Sequence, residues 1–405
     1  MIRQDNVHYR EHMRDGRGTV EIHDILTKEE LNGHGRLYAR MVLPAGASIG
    51  WHVHEGETEP FYILKGEGTF IDNDHVAHTV HPGDVCMIEA GEGHSIENNS
   101  ALLEKAVSDG AELVFTTAPL LLLPTLKSAV KYPRIKFLNC STGTQLSSVR
   151  SYYCRTYEGK FITGVIAGAL ANNDMVGYVG SYPILGVPAS INAFALGVRM
   201  TNPRAKILLE WSCLEGDPVH KLREKGVHVI SNRDIPVSGQ RYMDQGRYGT
   251  FLTDQAGRLV PLASPCWMWG ELYETVARSI LSGSWKEKKD ESVNYWWGMD
   301  SGTIDVELTE QVPAGVRSLA EILMRDLREG RLDPFRQRIV TREGTMINDG
   351  SRTLDSVELL KMDWLCDTVE GHIPEYEEVL PMSRALVREL GVHRERIPPE
   401  IGGIQ

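Results

Sequence analysis

Two histidines one residue apart, His52 and His54, are followed at close range by Glu59, and a further histidine, His94, lies in a later glycine-bounded stretch. Three imidazoles and one carboxylate are the donor set of a transition-metal site, and they suit zinc, iron, manganese, nickel or copper. In a strand of period two, both imidazoles of His52-Val53-His54 leave the same face. The turn-rich stretch Glu55-Gly56-Glu57-Thr58 can swing the Glu59 carboxylate back towards that face. His94 sits in a second hairpin pattern running from Gly83 to Asn98, so two hairpins must carry the donors to one point.

The rest of the chain offers no rival chemistry. It has no nucleophile triad, no Walker loop and no dinucleotide fingerprint; Gly66-Glu67-Gly68 lacks the third glycine and lies in a β pattern, so it reads as a hairpin turn. No catalytic residue is assigned. An enzymatic role, as a metal-dependent isomerase or dioxygenase, would rest on the metal, whose open position would polarise a carbonyl or bind dioxygen.

Ten of the fourteen histidines lie in the first 94 residues, whereas seven of the eight tryptophans come after residue 200. The chain therefore reads as two different parts, and its 405 residues accommodate two or three domains. From Glu112 onwards short apolar runs alternate with helical segments, the mark of parallel strands joined by crossover helices. Strands are predicted at Glu112 to Thr116, Ile135 to Leu138, Val149 to Tyr153, Met175 to Val179 and Val227 to Ile230. Helices are predicted at Leu120 to Tyr132, stopped by Pro133, at Glu158 to Leu170, with Gly159, Gly164, Ala167 and Gly168 on its packing face, and at Ile191 to Met200. Asp217-Pro218 is an N-cap and N1 pair for a short helix, and Leu319 to Leu327 is an amphipathic helix. The tail from Pro374 is acidic and then Pro/Gly-rich, with poor order expected from Ile397.

Open α/β sheets bind ligands outside the carboxyl ends of their strands. The loops there are polar and aromatic, and the candidate ligand-binding residues are Tyr182, Trp211, Asp234, Asp254, Trp267 and Trp269. Aromatic planes stack on heterocycles, and a carboxylate accepts hydrogen bonds from a ribose diol.

Composition narrows the setting. A net charge of −12 and a pI near 5.7, without a basic stripe, exclude a nucleic-acid footprint. Cys86, Cys140, Cys154, Cys213, Cys266 and Cys366 show no CxxC or paired framework and read as reduced thiols. The polar N-terminus carries no signal-peptide pattern, and the apolar run Ala118 to Leu126 is short and broken by Pro119 and Pro124, so a cytoplasmic location is expected for the sequence as written.

The spacing of Gly46, His52, His54, Glu59 and Gly66, with that of Gly83, Gly91, His94 and Asn98, resembles the two motifs of the cupin family; Glu89 stands where the second motif usually has proline. The resemblance implies an all-β barrel over 1–100 in which His52, His54, Glu59 and His94 converge on one divalent metal. The stretches YYCRTYEGKFITGVIAGAL, MVGYVGSYPILGVPASINAFALGVRMTNPRAKI, SPCWMWGELY and LLKMDW resemble the basic membrane protein family, the purine nucleoside receptor A-like (PnrA-like) solute-binding proteins of ABC transporters. That resemblance spans 101–376 and implies an α/β two-lobed type I periplasmic-binding-protein fold closing on a small molecule, typically a purine nucleoside, with 377–405 as an extension. It implies no catalytic residue. By position Asp234 matches an acidic residue after a second-lobe strand, and Asp254, in GTFLTD, falls in the family's GxDxD-like segment with the first acidic position lost.

Members that serve transporters carry a lipoprotein signal, and their partners are the membrane subunits. The family's first strand, first helix and second strand have no counterpart here, and the cupin pattern also stops short. Position 100 thus reads as a junction between two incomplete domains, a fusion with a rebuilt first lobe or a deletion. An uncovered sheet edge there would be covered by a homodimer. The expected function is nucleoside-type binding with a metal-binding cupin attached; a metal-dependent cupin enzyme is the alternative.

Overall fold

The computed structural model describes residues 6–44, 47–66, 68–75, 77–80, 82–98, 103, 106–117, 121–142, 149–232, 249–254, 257–285 and 295–397. They divide into two compact units, one holding the residues up to Thr116 and from Leu121 to Phe137, the other Thr117 and the residues from Leu138 onward.

In the first unit β1 (Asn6–Glu11), β2 (Thr19–Leu26) and β3 (Tyr38–Val42) form one antiparallel sheet. A second sheet has the order β4 (Ser48–Val53), β9 (Gly93–Glu97), β6 (Gly68–Ile71), β7 (Ala77–Val80), and a third pairs β5 (Glu59–Tyr62) with β8 (Val85–Ile88). Alternation along each strand sends one set of side chains inward. Val20, Ile22, Ile49, Phe70, Val80, Ile88 and Ile96, drawn from six different strands, make the core. β10 (Leu113–Thr116) and α1 (Leu122–Lys131) also belong to this unit.

β11 (Lys136–Cys140) leads into the second unit. There follow β12 (Val149–Cys154), α2 (Thr156–Leu170), β13 (Met175–Gly180), α3 (Val187–Thr201), β14 (Lys206–Trp211), α4 (Pro218–Glu224), β15 (Val229–Asn232), β16 (Gly249–Thr253), β17 (Leu259–Trp267), α5 (Trp269–Leu281), β18 (Tyr295–Trp297), β19 (Ile304–Leu308), α6 (Ala314–Arg328), β20 (Arg338–Val340), β21 (Met346–Asp349), α7 (Ser356–Leu360), β22 (Val369–Glu370) and α8 (Pro381–Leu390). A seven-stranded sheet has the order β19-β17-β16-β15-β13-β14-β22, with β15, β13, β14 and β22 parallel. β13 has β14 on one side and β15 on the other. The chain therefore leaves β13 in one direction and returns on the opposite side, which opens a crevice at the carboxyl ends of β13 and β15.

Helices α2 and α3 pack on each other through the glycine face read from the sequence. A Cβ at Gly164 would stand 2.2 Å from the Phe194 carbonyl oxygen, and one at Gly197 would stand 2.1 Å from that of Phe161. The two backbones touch, and only glycine allows it. Asp217 caps α4 as expected, its carboxylate accepting from the amides of Val219 and His220. The residues of Asn192 fix a distant segment: its amide donates to the Trp364 carbonyl at 2.8 Å and accepts from Cys366 N–H at 2.8 Å.

Three chain crossings lie side by side where β12 meets α2, β17 meets α5 and β18 meets β19. Arg155 N–H donates to the Trp297 carbonyl at 2.7 Å, and Met268 N–H to that of Thr303 at 2.9 Å. Glu158 accepts from Met299 N–H at 2.7 Å and pairs with Arg155 at 2.8 Å. Burial pushes its carboxyl up to about 6, against the opposing pull of Arg155 and the Met299 amide.

Some expectations shift. In the stretch SPCWMWGELY, Ser264 to Trp267 end strand β17, where Pro265 and Cys266 pair with β19, and α5 begins only at Trp269. The tail holds a helix, α8, that the sequence reading did not place, and residues 398–405 lie outside the described residues. The helix predicted at Leu319 to Leu327 exists as α6 and buries Ala320, Leu323, Met324 and Leu327. Among the described residues no helix is long and apolar enough to cross a membrane.

Candidate metal centre and ligand cavity

Strict alternation from Ile49, which points into the core, would turn Trp51 inward and His52 outward. The register of β4 on β9 shifts between Ile49 and His52, so Ile49 faces Ile96 while His52 faces His94. This bulge resets the phase of the strand and brings His52 and His54 to the interior, with Val53 half exposed outside. His94 is fully buried, its ring 5.5 Å from that of Phe70 and 5.2 Å from that of Phe61. Glu59 opens β5 opposite Ile88 of β8.

The four side chains expected to share a metal do converge, with one ligand atom from each lying within 4.8 Å of the others. His54 Nε2 is 3.2 Å from His52 Nε2, 3.1 Å from His94 Nε2 and 2.9 Å from the Glu59 carboxylate, which is 3.3 Å from His94 Nε2. Bonds of about 2.0–2.2 Å to one ion put neighbouring donor atoms roughly 3 Å apart, so the spacing fits. The tautomer of His52 fits too. Its Nδ1 donates to the Gly50 carbonyl at 3.0 Å, which leaves the Nε2 lone pair facing the centre.

Burial, aided by the nearby His94, Arg14 and His54, lowers the pKa of His52 against the raising effect of the Gly50 carbonyl. Burial alone would raise Glu59, yet its hydrogen bond with His94 and the charges of His54, His94 and His52 outweigh that and lower it. Neutral imidazole and ionised carboxylate are the forms a cation binds.

In the second unit a cavity of about 20 Å³ sits at the strand ends, lined by Tyr153, Thr156, Tyr178, Ser181, Gly186 and Ser190 among others. As it stands it has room for one water. The candidate ligand residues are not all on its wall. Tyr182 is buried in the core. Trp211 is buried as well, and its indole N–H donates to the His372 carbonyl at 2.8 Å. Asp254 closes its own hairpin, accepting from Arg258 N–H at 2.8 Å and pairing with the Arg258 guanidinium at 2.8 Å. Trp267, half-buried, has an indole N–H without a hydrogen-bond partner among the described residues. Trp269 meets Tyr152 edge-on at 5.5 Å and stacks on Tyr273 at 6.3 Å. Asp234 lies outside the described residues.

Sequence reasoning passed over Lys160, a fully buried lysine of α2 whose Nζ donates to Ser231 Oγ at 2.8 Å. Its signal was available: it is the last charged residue of a helix whose remaining ten residues, Phe161 to Leu170, carry no charge.

Two family descriptions match the chain, over ranges that overlap. Residues 39–103 match the cupin domain, and residues 79–217 match the ABC transporter substrate-binding protein PnrA-like family. A purine-binding protein of Brucella abortus is 29% identical over 70% of this chain and 82% of its own length. An oxalate-binding protein of Thermotoga maritima is 52% identical over 21% of this chain and 70% of its own. Among solved structures, a predicted oxalate decarboxylase of Thermotoga maritima is 47% identical over 24% of this chain and 82% of that one, with a TM-score of 0.23. An ABC transporter solute-binding protein of Conexibacter woesei is 16% identical over 58% and 82%, with a TM-score of 0.42.

Proposed function

We propose a function from one premise: the chain belongs to the cupin family through residues 39–103 and carries an ABC-transporter substrate-binding domain of the PnrA-like kind, matched over 79–217. The function is reversible binding of a purine nucleoside-type molecule by the second unit, with one divalent transition metal held in the barrel by His52, His54, Glu59 and His94. The observation that carries it is the aromatic and hydroxyl-lined cavity at the strand ends of an α/β sheet. The likeness to a purine-binding protein along most of that protein's length supports the ligand class. The membrane subunits of a transporter are the partner this family suggests.

A thermal-shift screen of the whole chain against purine nucleosides, with and without a chelator, tests the reading. A nucleoside at about 100 times its Kd stabilises by about 2.7 kcal/mol. The rise is expected to survive chelation and His52→Ala. Loss of the nucleoside effect on chelation would sink the assignment of binding to the second unit.

One observation favours a second reading, a metal-dependent enzyme. Glu59 is about a quarter exposed and His52 is only half-buried, so one side of the cluster stays open to a small molecule. A divalent ion there would supply Lewis acidity to a carboxylate or carbonyl. Turnover of small carboxylates that a chelator abolishes and one metal restores would establish it.

A further inference from the structure

We infer that Glu57 is a positioning residue of the metal centre: its carboxylate accepts a hydrogen bond from the His54 ring nitrogen that faces away from the convergent donors, and so orients that ligand. The inference rests on the metal reading above. The three ligand histidines differ in what their outer nitrogens meet. His52 Nδ1 donates to the Gly50 carbonyl at 3.0 Å. His94 Nδ1 is buried without a hydrogen-bond partner among the described residues, and the rings of Phe61 and Phe70 pack against its imidazole. His54 Nδ1 is also buried without a hydrogen bond, but Glu57 Oε1 stands 3.6 Å from it.

A neutral imidazole carries one N–H and, on its other nitrogen, one lone pair. His54 Nε2 is the atom that lies 3.2 Å from His52, 3.1 Å from His94 and 2.9 Å from Glu59, so it is the one a cation takes. The proton is then confined to Nδ1, and a buried N–H needs an acceptor.

Glu57 is placed to supply it. It comes three residues after His54, in the turn between β4 and β5, where Gly56 at φ +72° bends the chain back. The 3.6 Å gap is too long for a hydrogen bond, and the Glu57 side chain, 37% exposed, has room to swing and close it. The same Oε1 pairs with Arg36, in the connection between β2 and β3, at 2.5 Å. One carboxylate oxygen has two lone pairs and accepts from both sides. The turn that delivers Glu59 as a ligand thus also sets Glu57 behind His54.

Zinc affinity of the whole chain, read by competition with a chromophoric chelator, tests this. Glu57→Ala is expected to weaken zinc binding about 10–100-fold. Glu57→Gln, whose amide oxygen still accepts, should recover most of that loss, and the metal-free chains should melt alike. Unchanged affinity in Glu57→Ala would overturn the inference by removing Glu57 from the centre. Glu57→Gln falling as far as Glu57→Ala would overturn it too, leaving only the attraction of a nearby charge. An unaltered chain that binds no zinc would overturn the metal reading and the inference with it. Should Glu57→Ala fail to fold, Glu57→Met, which keeps the length and removes the acceptor, takes its place beside Glu57→Gln.

Discussion

Taking away His94 leaves His54 still about 3 Å from both His52 and the Glu59 carboxylate. His94→Ala is therefore expected to weaken metal binding by more than about 100-fold, read by metal content after dialysis, while the fold persists. These ligands were legible because metal chemistry fixes residue type and spacing together. The charge of Lys160 ahead of an uncharged helical run was legible too, but its partners were not, since they depend on which strand ends meet α2. Glu158 makes a pH effect of its own. Burial pushes its carboxyl up from the ordinary 4.5 to about 6 in the folded chain, so the folded state holds the extra proton between those values. Its contribution favours folding below pH 4.5 and is lost as pH rises through 6, by about 2 kcal/mol at 1.36 kcal/mol per unit. Urea melts from pH 4.5 to 7 should show a shallower pH dependence in Glu158→Gln than in the unaltered chain. An identical slope would remove Glu158 from the account.

At the scale of elements, the α2 and α3 contact is the firmest test. Gly164→Ala places a methyl 2.2 Å from a carbonyl oxygen that belongs to rigid helix backbone, so the helices must part. A loss of about 1–3 kcal/mol is expected by calorimetry. Gly270→Ala, in α5 with nothing within 4 Å of the added carbon, should be neutral or slightly stabilising. The parallel strands and crossover helices of the second unit could be read from apolar runs and glycine spacing because that periodicity is local. The bulge in β4 could not: Ser48 to His54 reads as an even alternation, and only the pairing with β9 shows that the phase changes between Ile49 and His52. Helix α8 was hidden because the acidic run Glu375, Glu377 and Glu378 before it and the Pro/Gly-rich end after it set the character of the tail.

For the whole molecule, the two units have separate cores. Calorimetry should resolve two transitions, and chelation should lower one of them and leave the other in place; a single transition that moves as a whole would argue against independent units. The two family matches share residues 79–103, although in the structure the strands there, β8 and β9, belong to the barrel. The boundary between families in the sequence is therefore not the boundary between packed units. Trp51 brings a last consequence. It is the one tryptophan of the first 137 residues, it adjoins His52 on β4, and its ring lies 3.9 Å from that of His75. The difference in emission between the native chain and Trp51→Phe thus isolates light from the barrel alone. An open-shell ion such as copper or nickel held by the adjoining His52 is expected to quench the excited indole, whereas closed-shell zinc is not. The chain carries its own optical label for which metal it has taken up.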